Sequence, residues 1–242
     1  GADIPANFRP GTMAISIGML LSALAMTWHL VHFHYVKFNK ESMYEVSKKI
    51  ILLCIPLLLS AQFIAGILNE ALDLTDTNQE LFISMSHNIF GVLSIAIVVP
   101  ILEEVLFRGA IEGHLLRKGW SPKWAILVSA LIFGIIHGNP AQIPFAFLIG
   151  LLFGWLYYRT GSLVPGIVGH IINNSFGAWT MFTATREELS QTTMETLGTT
   201  ITYILLVLAI IVFIGMYLYL NKYLPKPTNI QVKAINEQDI TI

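Results

Sequence analysis

Residues 98–108, VVPILEEVLFR, place two glutamates and one arginine in an otherwise apolar run of chain. A charged side chain at the centre of a bilayer costs about 2.5 to 3.5 kcal/mol even on the mildest scales. Three such side chains between residues 103 and 108 therefore need a use that offsets this cost. Ionisable groups at membrane depth are candidates for a functional site.

The composition is typical of a polytopic membrane protein. The 242 residues are 55% hydrophobic and 12% charged, and the mean hydropathy is +0.67, whereas soluble domains are about a quarter charged. A net charge of -1, with no basic run, excludes a nucleic-acid partner. The single cysteine, Cys54, forms no internal disulfide. We expect no removable signal segment at the start of the chain.

Seven segments are predicted as membrane-spanning helices because each approaches the necessary 20 or so apolar residues. They are residues 13–36, 50–72, 83–106, 123–138, 141–159, 165–183 and 199–221. Pro100 predicts a kink, after which residues 101–118 can form a second, partly interfacial helix. The sequence thus predicts an all-α polytopic membrane bundle of about seven helices around a polar intramembrane cavity. It forms one domain over 1–242, with core helices at 83–183 and a loosely ordered cytoplasmic tail at 225–242.

Basic residues alternate between the two sides of the membrane. The first loop holds Lys37, Lys40, Lys48 and Lys49. The loop at 73–82 holds acids and no base, and of 14 basic residues only Arg9 and Arg186 fall on its side. Because lysine and arginine accumulate on the cytoplasmic side, the N-terminus is predicted outside and the C-terminus in the cytoplasm of a multi-pass cell-membrane protein.

The spacing of the charged residues assigns them different partners. Glu104 and Arg108 are four residues apart with the acid first, which favours an ion pair on one helix face. Glu103 is rotated by about 100° from Glu104, so it faces another partner and keeps its carboxylate free for chemistry. The polar stretch that follows, which includes Glu112 and His114, is expected to be a solvated face.

Two later apolar segments carry the other candidate residues. His137 ends the predicted fourth helix, just before the Gly138-Asn139-Pro140 turn. His170 and Asn174 are four residues apart on the predicted sixth helix, so both point to one side of it. In hydrocarbon this set of polar groups is costly unless it converges around water, metal or substrate.

Two chemistries fit these residues equally well. In the first, Glu103 with His137 activates a water that attacks a peptide carbonyl, while His170 and Asn174 donate hydrogen bonds to the developing oxyanion. In the second, His137, His170 and a glutamate, Glu103, hold Zn²⁺ with a water in the open position. The chain has no HExxH helix, which excludes an ordinary zincin.

Three motifs on successive apolar segments resemble those of a known family. They are Glu103-Glu104-xxx-Arg108, Phe133-xxx-His137 and His170-xxx-Asn174. They are similar to the motifs of the CPBP family of CAAX proteases and bacteriocin-processing enzymes, also called the Abi family. Its eukaryotic relative is the type II CAAX prenyl endopeptidase, or Ras-converting enzyme. The resemblance covers about residues 83–183.

The resemblance implies an all-helical intramembrane protease with a polar cavity. It implies that Glu103 is the catalytic glutamate, that Glu104 and Arg108 support it, and that His137, His170 and Asn174 complete the site. The family is described both as metalloproteases and as glutamate proteases, so the choice between zinc and a metal-independent mechanism stays open.

The resemblance fixes no substrate. Family members act on prenylated C-termini, process peptide pheromones or bacteriocins, confer self-immunity or shape envelope signalling. The short acidic exterior is typical of a bacterial member, and bacteria mostly lack CAAX prenylation. We therefore expect a membrane-associated peptide or protein substrate within the lipid bilayer. Two rival classes are a non-catalytic scaffold that regulates envelope signalling and a transporter, which the lack of an inverted repeat disfavours.

Overall fold

The computed structural model describes residues 11–36, 46 and 48–224, and every regular element among them is a helix. The helices are α1 (Thr12–His32), α2 (Lys48–Leu72), α3 (Gln79–Ser86), α4 (Ile89–Arg117), α5 (Pro122–Ile136), α6 (Ile143–Thr160), α7 (Val164–Thr183), α8 (Arg186–Ser190), α9 (Thr193–Leu197) and α10 (Thr199–Tyr223). The predicted all-α class is confirmed.

Five of these helices, α1, α2, α4, α6 and α10, are long and apolar enough to cross a membrane. Helix α5 is apolar but has only 15 residues, about 22 Å of rise against a hydrocarbon core of about 30 Å. Helix α7 has 20 residues but carries His170 and two asparagines. The chain is a multi-pass membrane protein, and the predicted number of seven spans is not confirmed.

Some of the sequence predictions fall outside the described residues. The tail at 225–242 does, and so do Lys37 and Lys40 of the first loop. Lys48 and Lys49 belong to the first turn of α2. The orientation of the chain across the membrane therefore stays a prediction.

Helix α4 runs without interruption through Pro100. Two of its segments, Ser94–Val98 and Val105–Glu112, are π-helical, so that an amide there bonds five residues back, as Val99 N–H does to the Ser94 carbonyl. Proline lacks an N–H and its ring crowds the preceding turn, and the wider π turn lets the helix continue past it. The separate helix predicted over 101–118 was wrong, because α4 extends to Arg117.

The predicted span at 83–106 was also wrong in its boundaries. Helix α3 ends at Ser86 and α4 begins at Ile89. Asn88 lies between them in an extended conformation, and its Oδ1 accepts the Gly91 N–H at 2.7 Å. An asparagine in this position supplies one of the acceptors that the first turn of a helix lacks, so it starts a new helix.

Helix α4 lies at the centre of the bundle, where it packs against α1, α5 and α7. Helices α5 and α6 form a closely packed pair, and α2 packs against α10. Phe107 of α4 is buried, and its ring centroid lies 5.0 Å from that of Phe133 of α5. Helix α6 presents Gly150 to α5, where an added Cβ would lie 3.2 Å from the Ala130 Cβ. The charged motif is thereby held between helices on several sides.

Polar contacts connect α8 and α9 to the ends of earlier helices. Arg186 of α8 forms an exposed ion pair with Glu80 of α3. The Thr193 N–H of α9 donates to Glu70 Oε2 of α2 at 3.0 Å. These contacts hold the short helices between α7 and α10 against α2 and α3.

Candidate active site

The ion pair predicted between Glu104 and Arg108 is present in the structure. Arg108 Nη1 lies 3.3 Å from Glu104 Oε1, and both side chains are 1% exposed. Arg108 Nη2 donates to the Gly150 carbonyl at 3.0 Å, and its Cζ lies 4.5 Å from the centroid of the Phe133 ring. A buried guanidinium held this firmly neutralises Glu104 in surroundings where an unpaired charge is costly.

His170 connects the two neighbouring glutamates. Its Nδ1 lies 3.1 Å from Glu104 Oε1, and its Nε2 lies 3.4 Å from Glu103 Oε2. The Glu103 side chain is 19% exposed, against 1% for Glu104. Arg108 therefore pairs with Glu104, whereas His170 lies beside both glutamates, and Glu103 is the more accessible carboxylate.

His137 follows α5 directly and lies near the same cluster. Its Nδ1 donates to the Phe133 carbonyl at 2.7 Å, because a carbonyl can only accept. That bond leaves the His137 Nε2 lone pair free to accept a proton or a hydrogen bond. The Phe133 ring packs edge-on against both histidines, with centroids 5.0 Å from His137 and 5.8 Å from His170.

Asn139 holds the turn that follows His137. The Asn139 side chain is fully buried; its Nδ2 donates to Asp76 Oδ1 at 2.7 Å, and its Oδ1 accepts the Thr77 N–H at 3.1 Å. Gly138 has a φ of 61°, a conformation that favours glycine. These residues were predicted only as a turn, whereas in the structure the hydrogen bonds of Asn139 anchor the chain two residues beyond His137.

The side chain of Asn174 forms a hydrogen bond with the backbone of α4 in this structure. Its Nδ2 donates to the Ile95 carbonyl at 2.9 Å. In the π-helical pattern this carbonyl would accept from the residue five positions later, which is Pro100 and has no N–H. Asn174 thus supplies the donor that proline lacks. Its predicted role as an oxyanion donor stays a prediction, and it requires this amide to leave Ile95.

The three predicted metal ligands do not form a ready-made metal site. In the part of the chain that the structure describes, no group of three histidine, cysteine or acidic side chains is placed to hold a metal ion. His170 has a carboxylate beside each ring nitrogen. The residues as placed do not fit zinc, and the use of zinc stays an untested prediction.

Glu112 belongs to the buried cluster, although it was not predicted as a site residue. The expectation of a solvated face holds for His114, which is exposed, but is wrong for Glu112, which is 0% exposed. Glu112 follows Arg108 by four residues, as Arg108 follows Glu104. This repeated spacing was a signal that all three side chains share one helix face.

Gly166 makes room for Glu104, and its replacement by alanine is expected to disturb the site. A Cβ at Gly166 would lie 2.6 Å from Glu104 Oε2, and the carboxylate cannot retreat because Arg108 and His170 hold it. We expect Gly166→Ala to lower stability by about 1–3 kcal/mol and to reduce activity. Thermal unfolding of the purified protein would measure the first effect.

Gly177→Ala is the matched control on the same helix. No atom lies within 4 Å of a Cβ added there, so alanine is expected to be neutral or to stabilise α7 by up to about 1 kcal/mol. Equal behaviour of the two variants would contradict the close packing of Gly166 against Glu104.

A family model matches the stretch of chain that holds all six candidate residues. The family model described as type II CAAX prenyl endopeptidase Rce1-like matches residues 85–176. The protein named "Putative membrane peptidase YdiL" from Bacillus subtilis (strain 168) is 38% identical over 81 residues, which are 34% of this chain and 33% of the relative. The "Membrane-embedded CAAX protease MroQ" of Staphylococcus aureus (strain USA300) is 33% identical over 106 residues, 42% of each chain.

These matches cover less than half the length of either relative. No solved structure shows a significant match to the chain. The resemblance to the CAAX protease family is confirmed by the family match over residues 85–176.

Proposed function

We propose that this chain is an intramembrane endopeptidase that hydrolyses a peptide bond of a membrane-associated peptide or protein. The observation that supports this most strongly is the position of Glu103. It is a partly accessible carboxylate 3.4 Å from His170, on a helix apolar enough to cross a membrane. The family match over residues 85–176 supports the same activity.

In the proposed reaction Glu103 takes a proton from a water molecule, and the resulting hydroxide adds to the carbonyl carbon of the substrate. The Nε2 lone pair of His137 accepts a second hydrogen bond from that water. The tetrahedral intermediate then collapses, the C–N bond breaks, and protonated Glu103 returns the proton to the leaving amine. Glu104 accepts from His170 Nδ1 and so directs Nε2 toward the reacting groups.

Chelation would test the metal-independent form of this mechanism. We expect the purified protein to keep its cleavage rate after treatment with EDTA and removal of bound metal, because the proposed base is a carboxylate that needs no metal. Elemental analysis and initial rates would measure this. Stoichiometric zinc, with activity lost on chelation and restored by added zinc, would favour the ligand set Glu103, His137 and His170 instead.

The substrate can be identified by comparing the peptides of cells that carry the wild-type chain with those of cells that carry a Glu103 variant. Membrane-associated and secreted peptides would be measured by mass spectrometry in cells that carry the wild-type chain or Glu103→Gln. A peptide that is processed only with the wild-type chain is a substrate candidate, to be tested with the purified protein. MroQ is named as a CAAX protease, so peptides with a CAAX-like C-terminus belong in that test beside pheromone and bacteriocin-type peptides. Identical peptide sets in both cells would count against the proposed activity.

A further inference from the structure

Unpartnered polar atoms cluster on one side of α4. Among the described residues, seven buried side-chain nitrogen and oxygen atoms have no hydrogen-bond partner, and five of the seven belong to Glu104, Arg108 and Glu112. Three are acceptors, namely Oε2 of Glu104 and both carboxyl oxygens of Glu112. Two are donors, namely Nε and Nη1 of Arg108, of which Nη1 lies in the ion pair with Glu104 but makes no hydrogen bond. Buried polar groups almost always form hydrogen bonds, so five such atoms in three residues of one helix indicate a ligand that the neighbouring side chains do not supply.

Glycines on two other helices face these polar groups. A Cβ at Gly154 of α6 would lie 2.6 Å from Glu112 Oε2, and one at Gly166 of α7 would lie 2.6 Å from Glu104 Oε2. Each carboxyl oxygen occupies the space that a Cβ would need, and glycine offers no side chain to hydrogen-bond with it. The neighbouring helices thus accommodate the carboxyl groups without satisfying them.

Because these atoms include both donors and acceptors, they determine which kind of ligand can satisfy them. A cation would satisfy the carboxyl oxygens, but it cannot accept from Arg108 Nε and is repelled by the guanidinium. An anion would accept from Arg108, but it cannot donate to the carboxyl oxygens and is repelled by the carboxylates. Water donates and accepts, and it is stable in a buried position when it has two to four polar partners.

We propose that Glu104, Arg108 and Glu112 form a buried water-binding site beside the candidate active site. Water held at Glu104 Oε2 is separated from His170 by a single carboxyl group, because Glu104 Oε1 lies 3.1 Å from His170 Nδ1. Each peptide bond that is hydrolysed consumes one water, whose hydroxyl joins the carbonyl carbon and whose proton goes to the amine. The site is therefore a reserve of this water within an apolar bundle, a role that rests on the proposed function.

Radiolytic hydroxyl labelling of the whole protein, read by mass spectrometry, would detect this water directly. The probes are Phe133 and Phe153, which are 2% and 1% exposed and whose ring centroids lie 4.5 and 5.4 Å from Arg108 Cζ. Met85 is the control, since it is 0% exposed and lies in a different core cluster. We expect both phenylalanines to be labelled and Met85, an intrinsically reactive residue, to stay unlabelled. Phenylalanines that stay as unlabelled as Met85 would overturn the proposal.

Two variants of Glu112 separate hydration from folding. Glu112→Gln keeps a hydrogen-bonding side chain and is expected to keep the labelling, whereas Glu112→Leu removes both acceptors and is expected to lose most of it at Phe153. Labelling of Glu112→Leu at the wild-type level would overturn the site. If that variant does not fold, the comparison of labelling at Phe153 and Met85 in the wild-type protein still tests whether water is bound at this site.

Kinetics would test the role in hydrolysis. On an identified substrate, Glu112→Leu is expected to lower kcat by about 10- to 100-fold with little change in KM, and Glu112→Gln is expected to stay close to wild type. If no variant, including the wild type, cleaves any peptide, the proposed function fails while labelling still tests the water site. If Glu112→Leu cleaves as the wild type does, the site does not supply the reaction.

Discussion

Replacing Glu103 by glutamine is expected to abolish peptide cleavage, with a fall in kcat of about 10²- to 10⁴-fold. Glutamine keeps the size of the side chain and still hydrogen-bonds with His170, whose Nε2 lies 3.4 Å from Glu103 Oε2. It cannot take a proton from water, so the loss reports chemistry rather than folding. Initial rates of the purified protein in proteoliposomes, together with its melting temperature, would measure both quantities.

Glu187→Gln is the control for this loss. Glu187 is an exposed acid on α8, outside the helices that carry the candidate site, and its replacement is expected to leave cleavage and melting unchanged. Cleavage retained by Glu103→Gln would remove Glu103 as the base. A cellular phenotype that persists in that variant without any cleavage would favour the scaffold hypothesis.

Replacing Arg108 by methionine is expected to cause the largest loss of stability, about 3–5 kcal/mol. The substitution removes the guanidinium 3.3 Å from Glu104 Oε1 and leaves a carboxylate that is 1% exposed without its counter-charge. It also removes the donor to the Gly150 carbonyl. We expect the variant to accumulate poorly in membranes and to melt at a lower temperature, which thermal unfolding in detergent would measure.

The exposed ion pair at Arg186 provides a matched comparison. Arg186 pairs with Glu80, but their side chains are 73% and 66% exposed, and such pairs contribute about 0–1 kcal/mol. The melting temperature of Arg186→Met is therefore expected to be close to that of the wild type. Equal losses from Arg108→Met and Arg186→Met would contradict a special role for the buried pair.

A double variant separates stability from activity at the buried pair. Glu104→Gln combined with Arg108→Met removes both charges of this pair, so Glu104 is not left as an uncompensated buried ion, and much of the lost stability should return. Activity should not return, because Glu104 also lies 3.1 Å from His170 Nδ1 and orients that ring. Recovery of both properties would show that Glu104 and Arg108 have no part in positioning His170.

The sequence predicted the contacts that depend on local helical spacing. Glu104 and Arg108 are one turn apart, so their pairing follows from helical geometry wherever the helix packs. That Arg108 pairs with Glu104 and leaves Glu103 more accessible follows from the same helical rotation. Which element would supply the partner could not be derived from spacing, and the family motif placed His170 in the same site.

The predictions that failed depended on tertiary context. Pro100 was expected to be followed by a separate helix over 101–118, but π-helical geometry and the amide of Asn174, 79 residues from Ile95, let one helix continue past it. Glu112 was expected in solvent because its neighbours in sequence are polar. It is buried because Gly154 leaves space for it on a helix that follows later in the chain. No local pattern around Pro100 contains that information, and the spacing of Glu112 from Arg108 indicates a shared helix face but not the space at Gly154.

The π-helical segment Ser94–Val98 also fixes the length of α4 between its cap and the charged motif. A π turn holds one residue more than an α turn would, so deleting one residue there would restore the ordinary helix. Because the π turn absorbs the extra residue, the side chains beyond that deletion would keep nearly the same direction about the helix axis. Asn88 would keep its cap, and Glu103 and Arg108 would stay on the faces they now present. A deletion in an α-helical turn between Asn88 and Glu103 would instead rotate the charged side chains by about 100°. In α4 the number of residues between Asn88 and Glu103 therefore matters wherever the helix has no π turn to absorb the change.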